Sequence, residues 1–266
     1  MNTLKIISYY IFTFFLIFIS QPAIIGQPEQ VKHDIDIVYI GNSITQGVQL
    51  VNPGDEAPPA TASKYLGLQR RVGKVDFINR GRSGYTTVDF LPSPSGALMQ
   101  VSDATRQLHR DPQRLLVFSI SLGTNDSAEK GPNGSPVDPV VYQQNMKSIA
   151  DKLLSDFPGC KIFFQQPIWY SPNTYNGSRY MQEGLTRLQK YFPELKSLVV
   201  KYSQTNPDQV FMGDMKGFSY FRKNHLTDLI PEAGNAGTFY LHPNKKGAEV
   251  LGKLWGEAIY KTLFKD

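Results

Sequence analysis

The sequence predicts an α/β domain built on a central parallel sheet with helices on both faces. Short β-branched apolar runs recur along the chain at 36–40, 74–78, 115–121, 161–165 and 209–212. Between them the apolar period changes to three and four residues, the signature of amphipathic helices. Strands that alternate with helices of this length need crossover connections, which are right-handed and place parallel strands side by side.

The first strand is Asp36-Ile37-Val38-Tyr39-Ile40, a run apolar enough to be buried on both faces, and it ends at Gly41. The clearest helix carries Tyr142, Met146, Ile149, Ala150, Leu153, Leu154 and Phe157 along one face. The last helix repeats the pattern with Val250, Leu251, Leu254, Trp255, Ala258, Ile259 and Leu263, and Pro243-Asn244 is a plausible start for it. Segments 52–59, 91–96, 131–139, 171–177 and 230–237 are rich in Pro and Gly and are expected to be loops. No internal repeat or long low-complexity linker divides the chain, so residues 27–266 are expected to form one domain.

The first 26 residues stand apart. A short start carrying Lys5 leads into an apolar run from Ile6 to Ile19, with no Asp or Glu before Glu29. That pattern is expected to be a signal peptide, residues 1–26, for export to the periplasm or the medium. The run is shorter than the roughly 20 apolar residues a spanning helix needs, so no stable membrane insertion is expected once the leader is gone.

Composition narrows the function classes. The full chain of 266 residues is 41% hydrophobic and 12% aromatic, which argues against disorder. Its single Cys excludes a disulfide framework and a Cys-rich metal site. Removing the leader takes one Lys from a formal charge of +5 and leaves +4. The basic residues are scattered, so no nucleic-acid surface is expected.

In open α/β sheets chemistry collects at the carboxyl ends of the strands. The first strand runs into Gly41-Asn42-Ser43-Ile44-Thr45, the second into Arg82-Ser83-Gly84-Tyr85 and the third into Gly123-Thr124-Asn125-Asp126. Near the C-terminus comes His242-Pro243-Asn244, directly before a helix. Taken singly, these residues are more often a cap, two turns and a surface histidine. Together they supply what acyl transfer needs: a hydroxyl nucleophile (Ser43), an imidazole base (His242), and oxyanion donors from the Gly84 N–H and the Asn125 amide.

The four blocks, in this order, resemble those of the SGNH (GDSL-like) hydrolases, with Asn42 in place of the commoner Asp. The resemblance covers roughly residues 36–264. It implies a three-layer α/β/α flavodoxin-like domain with Ser43 as nucleophile, His242 as base, and an oxyanion hole formed by Ser43, Gly84 and Asn125. It implies no metal and no cofactor, because the oxyanion donors do the work of a Lewis acid. One position departs from the pattern: the family usually has an Asp three residues before the His, and here Phe239 stands there. A main-chain carbonyl, Asp228 or Glu232 could orient the imidazole instead.

Residues 165–176 interleave Trp169 and Tyr170 with amides, a composition suited to stacking on a sugar and bonding its hydroxyls. Arg82, beside the oxyanion glycine, could bind a carboxylate, as could Arg179 or Arg222. The phrases at 123–128, 167–176 and 221–227 are similar to the SGNH module of Bacteroidetes sialate O-acetylesterases. Arg82, Trp169 and Tyr170 are therefore the expected substrate contacts, with His225 more plausibly a helix-start residue. The expected reaction is removal of O-acetyl groups from a glycan, sialic acid being the favoured sugar. A lipid or aryl esterase and a glycan-binding module with a vestigial site are the alternatives.

Overall fold

A computed structural model describes residues 31–264, which lie in one compact unit. The leader expected at 1–26 lies outside the described residues. The chain runs β1 (His33–Gly41), α1 (Ser43–Gln46), α2 (Pro53–Glu56), α3 (Pro58–Gly67), β2 (Val72–Gly81), α4 (Ala97–Leu108) and β3 (Leu115–Ser121). It continues with α5 (Pro139–Asp156), β4 (Lys161–Phe164), α6 (Met181–Thr205), β5 (Val210–Met212) and α7 (Gly217–Asp228). An antiparallel hairpin of β6 (Leu229–Gly234) and β7 (Gly237–Pro243) leads into α8 (Lys245–Leu263).

All five strands of the main sheet pair in parallel, in the order β2-β1-β3-β4-β5. This is the flavodoxin-like order, whose direction of winding reverses between β1 and β3. The step from β1 to β2 runs one way across the sheet and every later step runs the other. Right-handed crossovers then send α3 to one face and α4, α5 and α6 to the other. Accordingly α3 packs on α8, and α5 on α6.

Ile35, Ile37, Val38, Tyr39 and Ile40 of β1 are wholly buried, as are Val117, Phe118 and Ile120 of β3. Tyr39 stacks on Trp255 of α8, joining the sheet to the last helix. Gly252 and Gly256, one helical turn apart, let α3 come close: a Cβ on Gly252 would lie 1.9 Å from Thr61 Oγ1. At the amino end of the sheet the buried Asp36 is neutralised by Arg114 Nε at 2.7 Å and also hydrogen-bonds His109 Nδ1 at 2.9 Å. The carboxyl end is thereby left free of that charge network.

Two of the expected loops are not loops. Residues 52–59 hold α2 and the start of α3, each with Pro in its first turn, where the missing N–H costs nothing. Residues 230–237 form most of the β6–β7 hairpin. Pro231, Gly234 and Gly237 disguise it in the sequence. In a two-stranded ribbon both strands are edges, where Pro is tolerated. Gly237 takes φ +87° at the turn, a conformation that favours glycine. No helix among the described residues is long and apolar enough to cross a membrane.

Candidate active site

Ser43 is the first residue of α1, one step beyond the end of β1 and its cap. Asn42 is that cap, and its Oδ1 accepts from the Ile44 N–H at 3.0 Å. An Asp in this place would make the same bond, so the departure from the commoner residue leaves the turn intact. Ser43 therefore has no capping duty, and its Oγ lies 2.9 Å from His242 Nε2.

His242 sits near the end of β7, and its ring Nδ1 is 2.8 Å from Glu232 Oε1 on β6. The same oxygen accepts from the His242 backbone N–H at 3.3 Å. Glu232 Oε2 accepts from Gln49 Nε2 at 2.6 Å. Gln49 Nε2 is also 3.4 Å from Nδ1. With the ring proton on Nδ1 both atoms are donors, so the productive bond of the amide is the one to Glu232. Both carboxylate oxygens thus receive hydrogens, and Nε2 keeps a lone pair facing the serine. His242 and Glu232 are nearly shielded from solvent, at 8% and 11% side-chain exposure.

The missing acid has therefore changed strand. Glu232 is directly opposite Phe239 in the hairpin register, and opposed residues share a face. A carboxylate from the neighbouring strand reaches the imidazole that an Asp at position 239 would serve in the family pattern, leaving Phe239 to fill the core. Asp228 has a different duty. Its carboxylate takes Lys246 Nζ at 2.7 Å and Tyr220 Oη at 2.5 Å, and its carbonyl accepts the Asn244 N–H at 3.1 Å. It ties α7 to the start of α8 and bonds neither ring nitrogen of His242.

Asn125, beyond the end of β3, is locked from both sides. Its Nδ2 donates to Tyr85 O at 2.8 Å, and its Oδ1 accepts from Tyr180 Oη at 2.7 Å. One amide hydrogen remains for a ligand. Burial pushes the Tyr180 phenol up to about 12, so it stays a donor at ordinary pH. Gly84 has φ +80°, while open space lies where a Cβ would be. Glycine is needed there for its backbone angle rather than for room.

Asp126, the next residue, is fully buried. Its Oδ1 accepts from the backbone N–H and hydroxyl of Thr87, while Oδ2 has no partner. Burial pushes its carboxyl from 3.8 up to about 6. Below its unfolded value the acid is neutral in both states and nothing is lost. As pH rises through the folded value the protein must bury a charge, on the order of 3 kcal/mol in all. Asp126→Asn is therefore expected to gain melting temperature relative to the parent between about pH 4 and about pH 7. Melts at the two pH values that show a constant difference would contradict this.

A family model described as GDSL-like lipase/acylhydrolase matches residues 39–250, from the end of the first strand through the serine turn and the Asn125 block to beyond His242. The chain belongs to the GDSL-like lipase/acylhydrolase family. It is thus an ester hydrolase by family, and no curated protein matches it in sequence. Its fold is similar to that of a Mycobacterium smegmatis aryl esterase, with TM-score 0.57 at 16% identity over 85% of this chain and 99% of that one. A carbohydrate acetylesterase from Sinorhizobium meliloti is similar at TM-score 0.57 and 17% identity, covering 86% of this chain and 99% of its own. A carbohydrate esterase family 2 enzyme with a carbohydrate-binding domain, from Corynascus thermopiles (Myceliophthora fergusii), gives TM-score 0.54 at 18% identity over 88% and 67%.

In this GDSL-like hydrolase the expected substrate contacts fare unevenly. Tyr170 is a correction: it is 0% exposed, bonds Ser127 Oγ at 2.9 Å and packs edge-on against Tyr180, so no substrate can touch it. Trp169 is 7% exposed and packs on His225, lining a cleft of about 290 Å³ with Arg222. His225 lies in the last turn of α7, directly after a kink at Asn224 where a second helical piece begins. Arg179 is paired with Glu129 at 2.9 Å. The 171–176 loop braces the hairpin instead: Ser171 exchanges bonds with the Tyr240 backbone, and Asn173 Nδ2 donates to Ala236 O and Thr238 O. The aromatic-amide composition thus holds the strand pair that carries Glu232 and His242. Of the three contacts, Arg82 borders a cleft one helical turn from Ser43.

The sequence reading did not single out Gln49 or Tyr180. Each acts through another residue over a long separation, and neither lies in a recognisable block. In the structure Gln49 has φ +71°, a conformation uncommon outside glycine that nothing in its local sequence marks.

Proposed function

We propose that the protein is a serine esterase that removes O-acetyl groups from carbohydrate, with O-acetylated sialic acid as the favoured substrate. The observation that carries the reading is the continuous chain Ser43–His242–Glu232, with bonds of 2.9 and 2.8 Å and Asn125 held at the same edge of the sheet. Such a chain serves acyl transfer, since it links a hydroxyl to a base and the base to a charge that steadies its protonated form.

Ser43 Oγ attacks the acetyl carbonyl while its proton passes to His242 Nε2. The oxyanion that forms takes hydrogen bonds from the backbone N–H groups of Ser43 and Gly84 and from Asn125 Nδ2. His242 then gives the proton to the departing sugar oxygen, leaving an acetyl ester on Ser43. Water attacks that ester, its proton again taken by His242, and acetate leaves as Ser43 regains its hydrogen. Glu232, bonded to the ring Nδ1, orients the imidazole and stabilises the transient imidazolium.

Sugar as substrate is supported by the loop phrases, by the fold shared with carbohydrate esterases, and by a cleft beside Ser43 lined mainly by polar groups: Gln46, Asn79, Arg80, Arg82 and Ser83. The leader pattern at 1–26 supports action outside the cytoplasm. The test compares acetate release from O-acetylated sialoglycan and from acetylated xylan, alongside 4-nitrophenyl esters of rising chain length. Preference for acetyl over long acyl groups and for the sialoglycan is expected. Faster cleavage of long-chain esters would favour the lipid or aryl reading, and equal rates on the two glycans would remove the sialate assignment.

A further inference from the structure

Three arginines are neutralised by carboxylates among the described residues. Arg114 meets Asp34, Asp36 and Asp76, Arg106 meets Asp103 and Asp156, and Arg179 meets Glu129. Arg80 and Arg82, like Arg70, Arg110, Arg187 and Arg222, have no such pair among the described residues, but these two line one cleft together beside the candidate active site. Both are half-buried at the carboxyl end of β2, an edge strand, and are two residues apart, so they lean to the same side. Among the described residues neither has an ion pair. Arg82 donates to the neutral Gln100 side chain and lies over the Tyr85 ring at 5.7 Å. Arg80 has a buried Nε without any partner.

Two neighbouring guanidinium groups held without a carboxylate repel each other. Burial, and then the charge of Arg82, depresses the Arg80 pKa accordingly. Arginine cannot relieve this by losing its proton at any ordinary pH, and an anion between the two groups would relieve it. Space for one exists. A cleft of about 310 Å³ is lined by Gln46, Asn79, Arg80, Arg82, Ser83 and Tyr85. It adjoins the reacting groups through the backbone: Arg82 N–H donates to Gly41 O at 2.9 Å, and Ser83 N–H to Gln46 Oε1 at 2.7 Å. Gln46 closes the helical turn that Ser43 opens, and Ser83 precedes Gly84.

We propose that the Arg80–Arg82 cleft binds the carboxylate of an acidic sugar while the acetyl ester of that sugar lies against Ser43. The planar fork of a guanidinium matches a carboxylate, and two forks can grip one anion or share its oxygens. The site selects an O-acetylated sugar acid over a neutral one. This rests on the deacetylase reading above and adds to it Arg80, a residue that no motif marked.

The test uses the intact protein and one acetyl group in two charge states: O-acetylated N-acetylneuraminic acid and its carboxyl methyl ester. The parent is expected to prefer the free acid by roughly 10- to 100-fold in kcat/KM, the worth of one or two charge-assisted bonds. The preference should shrink as salt is raised. Arg80→Gln and Arg82→Gln are expected to bring it to near parity through KM, with Arg80→Lys restoring part of it. Neither arginine has an ion pair to lose, so melting temperatures should stay close to the parent. Equal turnover of acid and methyl ester by the parent, or a preference that survives both Gln variants, would overturn the cleft while leaving the deacetylase reading standing. If instead only 4-nitrophenyl acetate is cleaved, the sugar reading falls. The cleft is then read by inhibition of that reaction: N-acetylneuraminate inhibiting and its methyl ester not inhibiting supports it, and equal effects refute it. Inorganic phosphate as a third inhibitor matching N-acetylneuraminate would refute the carboxylate assignment in favour of a phosphate site.

Discussion

Ser43→Ala is expected to lower acetyl-ester turnover by on the order of 10⁵-fold while leaving the folded protein unchanged. The large effect follows from the scheme: without Oγ no acyl-enzyme forms, and His242 and Glu232 have nothing to activate. The small structural effect follows from the turn. Asn42 caps α1, and among the described residues the Ser43 hydroxyl bonds only His242. Acetate release and a thermal melt on the same preparation check both halves. Residual turnover within about tenfold of the parent would remove Ser43 as the nucleophile. Turnover in the parent that vanishes in the variant also eliminates a glycan-binding module with a vestigial site.

Glu232→Gln is expected to be nearly as damaging, at roughly 10³- to 10⁴-fold in kcat. Both oxygens of Glu232 accept: Oε1 from the His242 ring and backbone, Oε2 from Gln49. A glutamine must aim its NH2 at one of these donors. Turned towards Gln49, it keeps the imidazole tautomer but sets two amides against each other and loses the charge. Turned towards His242, it draws the ring proton to Nε2, where the imidazole can no longer receive the serine proton. Glu232→Asp keeps the charge and shortens the reach, so a smaller loss is expected. The check is steady-state kinetics of both variants with acetate as the readout. A loss below about tenfold for Glu232→Gln would show that the imidazole needs no carboxylate.

Much of this site is legible in the primary structure because it is local. Ser43, Gly84 and Asn125 each follow the end of a strand, and parallel strands with right-handed crossovers must bring those ends to one edge. The five strands could be read for a similar reason, since buried parallel strands are near-continuous apolar runs such as 35–40. The hairpin at 229–243 could not. Its Pro and Gly residues imitate a loop, and its strand identity depends on the brace from Ser171 and Asn173, nearly sixty residues or more away. Tyr170 misled in the opposite sense: its aromatic ring suggested a sugar platform, and packing placed it in the core.

The sequence by itself determined where Ser43, Gly84, Asn125 and His242 stand and the order of elements that gathers the strand ends, because those depend on short-range patterns and on the handedness of the crossovers. Only the tertiary structure decided which carboxylate bonds the His242 ring. Phe239, Asp228 and Glu232 are all near the histidine in sequence. The hairpin register, with Glu232 facing Phe239, and the capture of Asp228 by Lys246 and Tyr220 separate them. The same holds for Arg80, whose want of a partner can be seen only once the positions of the carboxylates are known. A residue type states what a side chain can bond, whereas its actual partner is set by distances between segments that the chain brings together only on folding.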